Sequence, residues 1–217
     1  MRLKTETVLS GLMVLAMAGI GVWGHFALPD IPIAIHYGYA GEADGFAPRD
    51  HALAIMPGLA LCLHLALFAI VPAIARNGEL MTRSSAAYGA TGLATIALLT
   101  ALHIAMVLKA AGVPVDIKTV TMLGGGLLLI VTGNYLPKAR RNHFIGVRTP
   151  WTLADERVWD KTHRFAGPLL MLGGAGIVAA TFLLPPAVLS IAFMVGWAVP
   201  IVTILVYSWW VHRALRD

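Results

Sequence analysis

The chain has 217 residues, 58% of them hydrophobic and only 12% charged, with a formal net charge of +5. Soluble domains carry about 25% charged residues, so this composition, with a mean hydropathy of +0.77, excludes an ordinary soluble domain and indicates an integral membrane protein. Direct nucleic-acid binding is not needed to explain the basic pI, because Lys and Arg collect in the cytoplasmic loops of membrane proteins.

Six apolar segments reach the roughly 20 residues that a helix needs to cross a bilayer. They lie near 7–27, 52–75, 86–108, 117–136, 165–184 and 187–211. The first follows Arg2 and Lys4, as a signal peptide would. It lacks a small-x-small cleavage site before Pro29, and an uncleaved helix is expected. The long connection 28–51 comes next. Its Ile31-Pro32-Ile33-Ala34-Ile35 stretch reads as extended, since Pro32 restricts the residue before it, and Asp44-Gly45 reads as a turn. His36, Glu42, Asp44, Asp50 and His51 are metal-ligand types in this loop, with His36, Asp44 and His51 the first candidates, but their spacing fits no strong ligand pattern and no metal is assigned.

The second and third spans follow. Pro57, Pro72 and Pro200 are expected to kink their helices. No Asp, Glu, Lys or Arg lies deep in a span, which argues against a proton relay built on a buried carboxylate. His64 and His103 are expected to be neutral and hydrogen-bonded between helices. Gly124-Gly125-Gly126 and Gly173-Gly174-Ala175-Gly176 mark the fourth and fifth spans, where small residues let helix backbones approach. Cys62, the single cysteine, forms no internal disulfide. Pro185-Pro186 forces a tight hairpin between the last two spans.

Charge sets the orientation. With the N-terminus inside, 13 of the 16 Lys and Arg fall on the cytoplasmic side, and only Arg49, Lys109 and Lys118 fall outside. The expected fold is therefore an all-α integral membrane protein with six transmembrane helices, N-in and C-in. It divides into residues 1–116, the first three helices with the outer loop 28–51, and residues 117–217, the last three with the inner loop 137–164. Each half reads helix, long loop, helix, short loop, helix, which raises an inverted 3+3 repeat of the kind used by secondary transporters.

The inner segment from Asn134 to Arg164 is the longest polar interruption of the second half. Tyr135, Trp151 and Trp159 suit the headgroup zone. Thr152 with Asp155 fits a capping box, with a short helix to follow from about Leu153 to His163. On that helix Glu156, Trp159 and His163 share a face. Gly146 allows a sharp turn that sends Arg148 back toward it. Two readings stay open: an amphipathic helix touching anionic lipids, or an organised site with Arg148 as an anion fork and Glu156 with His163 as an acid–base pair. Thr149, Thr152 and Thr162 are ordinary as nucleophiles. No catalytic residue or cofactor is assigned, and a non-enzymatic role is expected.

The motif Gly133-Asn134-Tyr135-Leu136-Pro137-Lys138 with Asn142, Gly146, Arg148-Thr149-Pro150-Trp151-Thr152, Glu156, Trp159 and Thr162-His163-Arg164 resembles the signature of the SdpI family of bacterial membrane proteins. The outer loop, with Pro32, His36, Gly41, Asp44 and Gly45, resembles the extracytoplasmic domain of unknown function that often precedes that signature. It departs from that pattern where Gly38, rather than Asn, follows His36-Tyr37. The resemblance implies a multi-pass protein of the bacterial cytoplasmic membrane that confers immunity to a peptide toxin and signals to a cytoplasmic regulator. It implies ligand or partner binding by the inner motif from Asn134 and Pro137 to Arg164, and by His36, Gly41 and Asp44 outside. A small secondary transporter and a membrane enzyme with its site in the inner loop are the alternatives.

Overall fold

A computed structural model describes residues 2–39, 41–75 and 84–216. Arg76 and Arg83, two of the basic residues counted in the orientation argument, lie outside them. Among the described residues, six helices are long and apolar enough to cross a membrane: Lys4–Ala27, Arg49–Ile74, Ser85–Ala110, Ile117–Lys138, Glu156–Leu183 and Pro186–Ala214. The protein is a multi-pass membrane protein. Leu15, Leu172 and Phe182 are 68%, 70% and 72% exposed, which is what a helix surface solvated by lipid tails presents.

The first three spans are α1 (Arg2–Ala27), α2 (Arg49–Leu65, continuing through a π-helical segment Ala66–Ile70 into α3, Val71–Ile74) and α4 (Ser85–Ala110). Val14, Met17, Ala60 and Ile96 form their central core. The π-helical segment sits just before Pro72. That proline has no N–H to offer the preceding turn, and the Tyr88 hydroxyl donates instead to the Leu67 carbonyl at 2.7 Å. The helix itself runs on through Pro57. His103 is fully buried, with Nε2 3.1 Å from the Met17 carbonyl oxygen, and His64 Nδ1 lies 2.9 Å from the Ser10 hydroxyl. Both histidines are therefore bonded between helices.

The last three spans are α5 (Ile117–Tyr135, extended by a 3-10 turn Leu136–Lys138), α7 (Glu156–Leu183) and α8 (Pro186–Ala214). Leu129, Leu136, Ala166, Leu170, Ile177 and Ile204 are among their core residues. Glycines set the approach of α7 to its neighbours. A Cβ on Gly126 would stand 2.8 Å from the Gly174 carbonyl oxygen, and one on Gly167 would stand 2.8 Å from that of Gly133. Real Cβ atoms do not come that close, so the antiparallel crossing of α5 and α7 requires both pairs. Gly173 meets Gly196 of α8 in the same way. Both helices run unbroken through their glycine clusters, which serve packing here. α8 starts at Pro186 in its first turn, where the missing N–H costs nothing.

The outer connection adds a small antiparallel hairpin, β1 (Ile33–Tyr37) and β2 (Ala43–Ala47), that the sequence reading described only as extended. Asp44-Gly45 is not the turn. Gly45 lies within β2 opposite His36, and the chain reverses between Gly38 and Glu42, with the Gly38 amide donating to the Glu42 carbonyl at 2.8 Å. Gly41, at φ +91°, supplies the left-handed residue. Gly45 is required for a different reason, since a Cβ there would come within 2.8 Å of His36 Cβ.

Candidate functional site

The inner segment folds as a locked turn rather than an amphipathic helix. Asn142 starts it. Its side-chain oxygen accepts from the amides of Phe144 (2.7 Å) and Ile145 (2.9 Å), an Asx turn. Its NH2 donates to the Arg140 carbonyl at 2.7 Å and to the Ser84 hydroxyl at 3.3 Å. Ser84, at the head of α4, also receives the Arg140 amide at 3.1 Å. Asn142 and Ser84 are both buried. A residue from the first half of the chain thus closes the loop of the second, and no local sequence signal marks it.

Gly146 turns the chain at φ +116°. Any Cβ there would run into His163 Nε2 and come within 2.9 Å of the Trp159 ring. The next amide, Val147, donates to His163 Nε2 at 3.0 Å, while His163 Nδ1 lies 2.8 Å from the Trp159 carbonyl oxygen. A nitrogen that accepts an amide hydrogen carries no proton. His163 is therefore neutral with its proton on Nδ1, and both ring nitrogens are occupied by backbone. Its ring stacks on Trp159 at 4.0 Å, and the Trp159 indole donates to the Ala139 carbonyl at 2.8 Å.

The caps differ from those expected. Thr149, not Thr152, is the N-cap, and a reciprocal box with Thr152 opens a short helix α6 (Pro150–Ala154), with Pro150 in its first turn. Thr152 is fully buried and donates to the Val147 carbonyl at 2.6 Å. Asp155 then caps α7 through the Arg157 amide at 2.8 Å. The expected helix 153–163 is thus two pieces, the second being the start of the fifth span. Hydrogen bonds from the Arg157 side chain and amide pull the Asp155 carboxyl down to about 2. Arg141 donates to the carbonyls of Leu153 and Ala154, satisfying the end of α6. The Trp151 indole donates to the buried Ser208 hydroxyl on α8 at 3.0 Å, and its ring stacks on His212.

The proposed acid–base constellation does not assemble. Glu156 is exposed, while Trp159 and His163 face inward and are buried, so the three do not share one surface. Trp159 is a core residue, not a headgroup anchor, because its indole finds an acceptor inside the turn. Arg148 does not return to the helix. Its guanidinium donates to the His143 carbonyl at 2.6 Å and stays exposed. Asn134 and Arg164 are exposed as well, and Pro137 packs its ring over Gly167. The structure therefore sorts the inner motif into a frame (Asn142, Thr152, Trp159 and His163 buried, Gly146 half-buried) and an exposed, basic rim (Arg140, Arg141, Arg148, Arg164) around it.

On the opposite end, His36 Nδ1 and Asp44 Oδ1 meet at 2.5 Å across the hairpin strands, both well exposed. His51 sits on α2, and no group of three or more metal-ligand side chains gathers among the described residues. The hairpin is fastened to the second half of the chain by a clasp the sequence did not announce. The Tyr39 carbonyl accepts from Ser190 Oγ (2.7 Å) and Lys118 Nζ (3.3 Å), and Lys118 also donates to the Pro186 carbonyl at 2.9 Å. Asp116 caps α5 next to it. Burial pushes its carboxyl up, but hydrogen bonds from Thr119 and the Lys118 amide outweigh that and lower it.

Residues 138–209 match the SdpI/YfhL protein family, and residues 12–61 match a domain of unknown function, DUF1648. The Immunity protein SdpI of Bacillus subtilis (strain 168) is 42% identical over 85 residues, which is 39% of this chain and 41% of that protein. The match thus spans less than half the length of the curated relative. No solved structure matches.

Proposed function

We propose that this chain, a member of the SdpI/YfhL family, is an immunity-like protein of the bacterial cytoplasmic membrane. It lies N-in and C-in. The hairpin end faces out and engages a membrane-active peptide or another hydrophobic ligand. The inner segment from Asn134 to Arg164 faces the cytoplasm and binds a regulator protein there. The proposed division is into residues 1–116, the first three spans with the hairpin, and residues 117–217, the last three spans with the inner segment. Within the inner segment Arg148 and Arg164, with the other basic rim residues, contact the partner, and Asn142, Gly146, Thr152, Trp159 and His163 hold that rim in place.

The observation that carries this reading is the state of His163. Both its ring nitrogens are committed to backbone groups, and Glu156 is exposed while His163 is buried. A histidine fixed in this way holds a shape and has no lone pair left for a substrate. A rigid turn with a charged rim fits recognition better than catalysis. The 13-to-3 distribution of basic residues supports the orientation.

The test is survival. Expression of the chain in a bacterial host sensitive to a membrane-active peptide should raise survival above an empty vector. Arg148→Ala and His36→Ala should each reduce that protection while membrane levels stay equal. Wild type that protects no better than the vector would sink the proposal.

A further inference from the structure

A cavity of about 230 Å³ lies between the hairpin and the outer ends of α5 and α8. Its walls are mainly apolar, with Tyr37, Met122, Phe193 and Met194 among them, and Lys118 and Ser190 stand in its polar part. Sites for whole small molecules run to about 300–1,000 Å³. This one is smaller and holds a single large apolar side chain. Burial raises the Tyr37 phenol, so that wall is neutral at any physiological pH.

Lys118 gives the cavity its polarity. Its ammonium is held by the Tyr39 and Pro186 carbonyls, and the Tyr39 ring lies 6.0 Å away. Two of its three N–H groups are thereby used. Among the described residues Lys118 makes no ion pair, as is true of every Lys and Arg there but Arg49 and Arg157. The nearest acidic residues of the hairpin are placed elsewhere: Asp44 is bound to His36, and Glu42 stands against Gly38. Asp116, two residues before Lys118, is engaged by the Thr119 hydroxyl and the amides of Lys118 and Thr119, and an ammonium with no carboxylate at ion-pair distance beside an apolar slot is complementary to a ligand with one apolar side chain next to one negative charge.

We propose that this cavity takes the C-terminal end of an apolar peptide, with the last side chain against Phe193 and Met194 and the terminal carboxylate on the Lys118 ammonium. The inference rests on the reading of the chain as a peptide-recognising immunity-like protein and names the feature that it reads. A carboxylate on an ammonium makes a charge-assisted hydrogen bond, about twice as strong as a neutral one. An amidated terminus lacks that charge.

The experiment uses the full chain in phosphatidylcholine nanodiscs and a dye-labelled Leu/Ala peptide ending in Phe, as the free acid and as the C-terminal amide. Fluorescence anisotropy should give about tenfold tighter binding of the acid, roughly the difference one charge-assisted bond makes. Lys118→Gln should abolish the preference and Lys118→Arg should keep it. Lys118 also holds the hairpin, so Met194→Trp serves as a second variant: it fills the cavity without touching the clasp and should weaken both peptides. Equal binding of acid and amide by wild type, or a preference that survives Lys118→Gln, overturns the inference. So does loss of the acid peptide on adding phosphatidylglycerol, which would make a lipid headgroup the occupant. If the preference is absent but wild type still protects cells, only this inference falls. If the preference is present without protection, the immunity reading falls and the site stands.

Discussion

The two long polar connections are built in opposite ways. The inner turn is held mainly from within: Asn142, Thr152, Trp159 and His163 are buried and bond to backbone groups of the loop and the helix it opens, with Ser84 of α4 as the one tie from the first half of the chain. The outer hairpin is held from without, by Ile33 packed against α2 and α4 and by one lysine and one serine of other helices on the Tyr39 carbonyl, and its own side-chain pair, His36–Asp44, is exposed. Buried hydrogen bonds are expensive to break because the orphaned partner stays desolvated, whereas an exposed pair is replaced by water. The inner turn should therefore behave as part of the fold, and the hairpin as an attachment to it.

Gly146→Val tests the inner side hardest. It places a branched side chain at φ +116° and against His163 and Trp159, and should cost about 3 kcal/mol or more, read as a fall in melting temperature of the detergent-solubilised protein. His163→Ala comes next. It deletes a stacked ring and leaves the Val147 amide without an acceptor, for about 2–3 kcal/mol. Trp159→Phe keeps the ring but orphans the Ala139 carbonyl, for about 1–2 kcal/mol in the same assay. His36→Ala on the outer side should move the melt by less than about 0.5 kcal/mol. If it destabilises as much as Trp159→Phe, the contrast between the two connections is wrong.

The smallest effect concerns acid. The Asp155 carboxyl sits lower in the folded protein, at about 2, than the ordinary 3.8. A depressed folded-state value means that the cap's contribution is complete above the unfolded value and is lost as pH falls toward 2. Amide exchange in the first turn of α7 should be unchanged from pH 7 to 5 and accelerate relative to an Asp155→Ala control only below about pH 4, near the unfolded value. The same turn in Arg148→Ala should keep its protection, so that loss of protection in cells by that variant reports on recognition and not on folding.

Much of this was legible in the chain. Runs of apolar residues of bilayer length dictate six spans because lipid leaves helices as the simplest way to satisfy the backbone. Asn142, Gly146, Trp159 and His163 stood out in the inner motif, and Gly146 was read as a turn. What those residues do was not legible. Glu156, Trp159 and His163 have helical spacing, but spacing gives an angle around the helix, not which side the loop covers. The Asn142 turn folds the loop back over Trp159 and His163 and leaves Glu156 outside. The Thr149 cap was hidden because two threonines three apart can each play the part, and the choice fell to Thr152, whose hydroxyl is needed by the Val147 carbonyl inside the turn.

By itself the sequence determined the number of spans, the two long polar connections and the small-residue faces of α5 and α7. These follow from composition and local spacing, which act within one segment. Only the tertiary structure decided that Ser84 closes the inner turn from 58 residues away in sequence, that Lys118 and Ser190 clasp Tyr39, and that His163 is a fixed internal strut. Each of these depends on a polar group finding its partner on another element, and a linear pattern carries no record of that pairing.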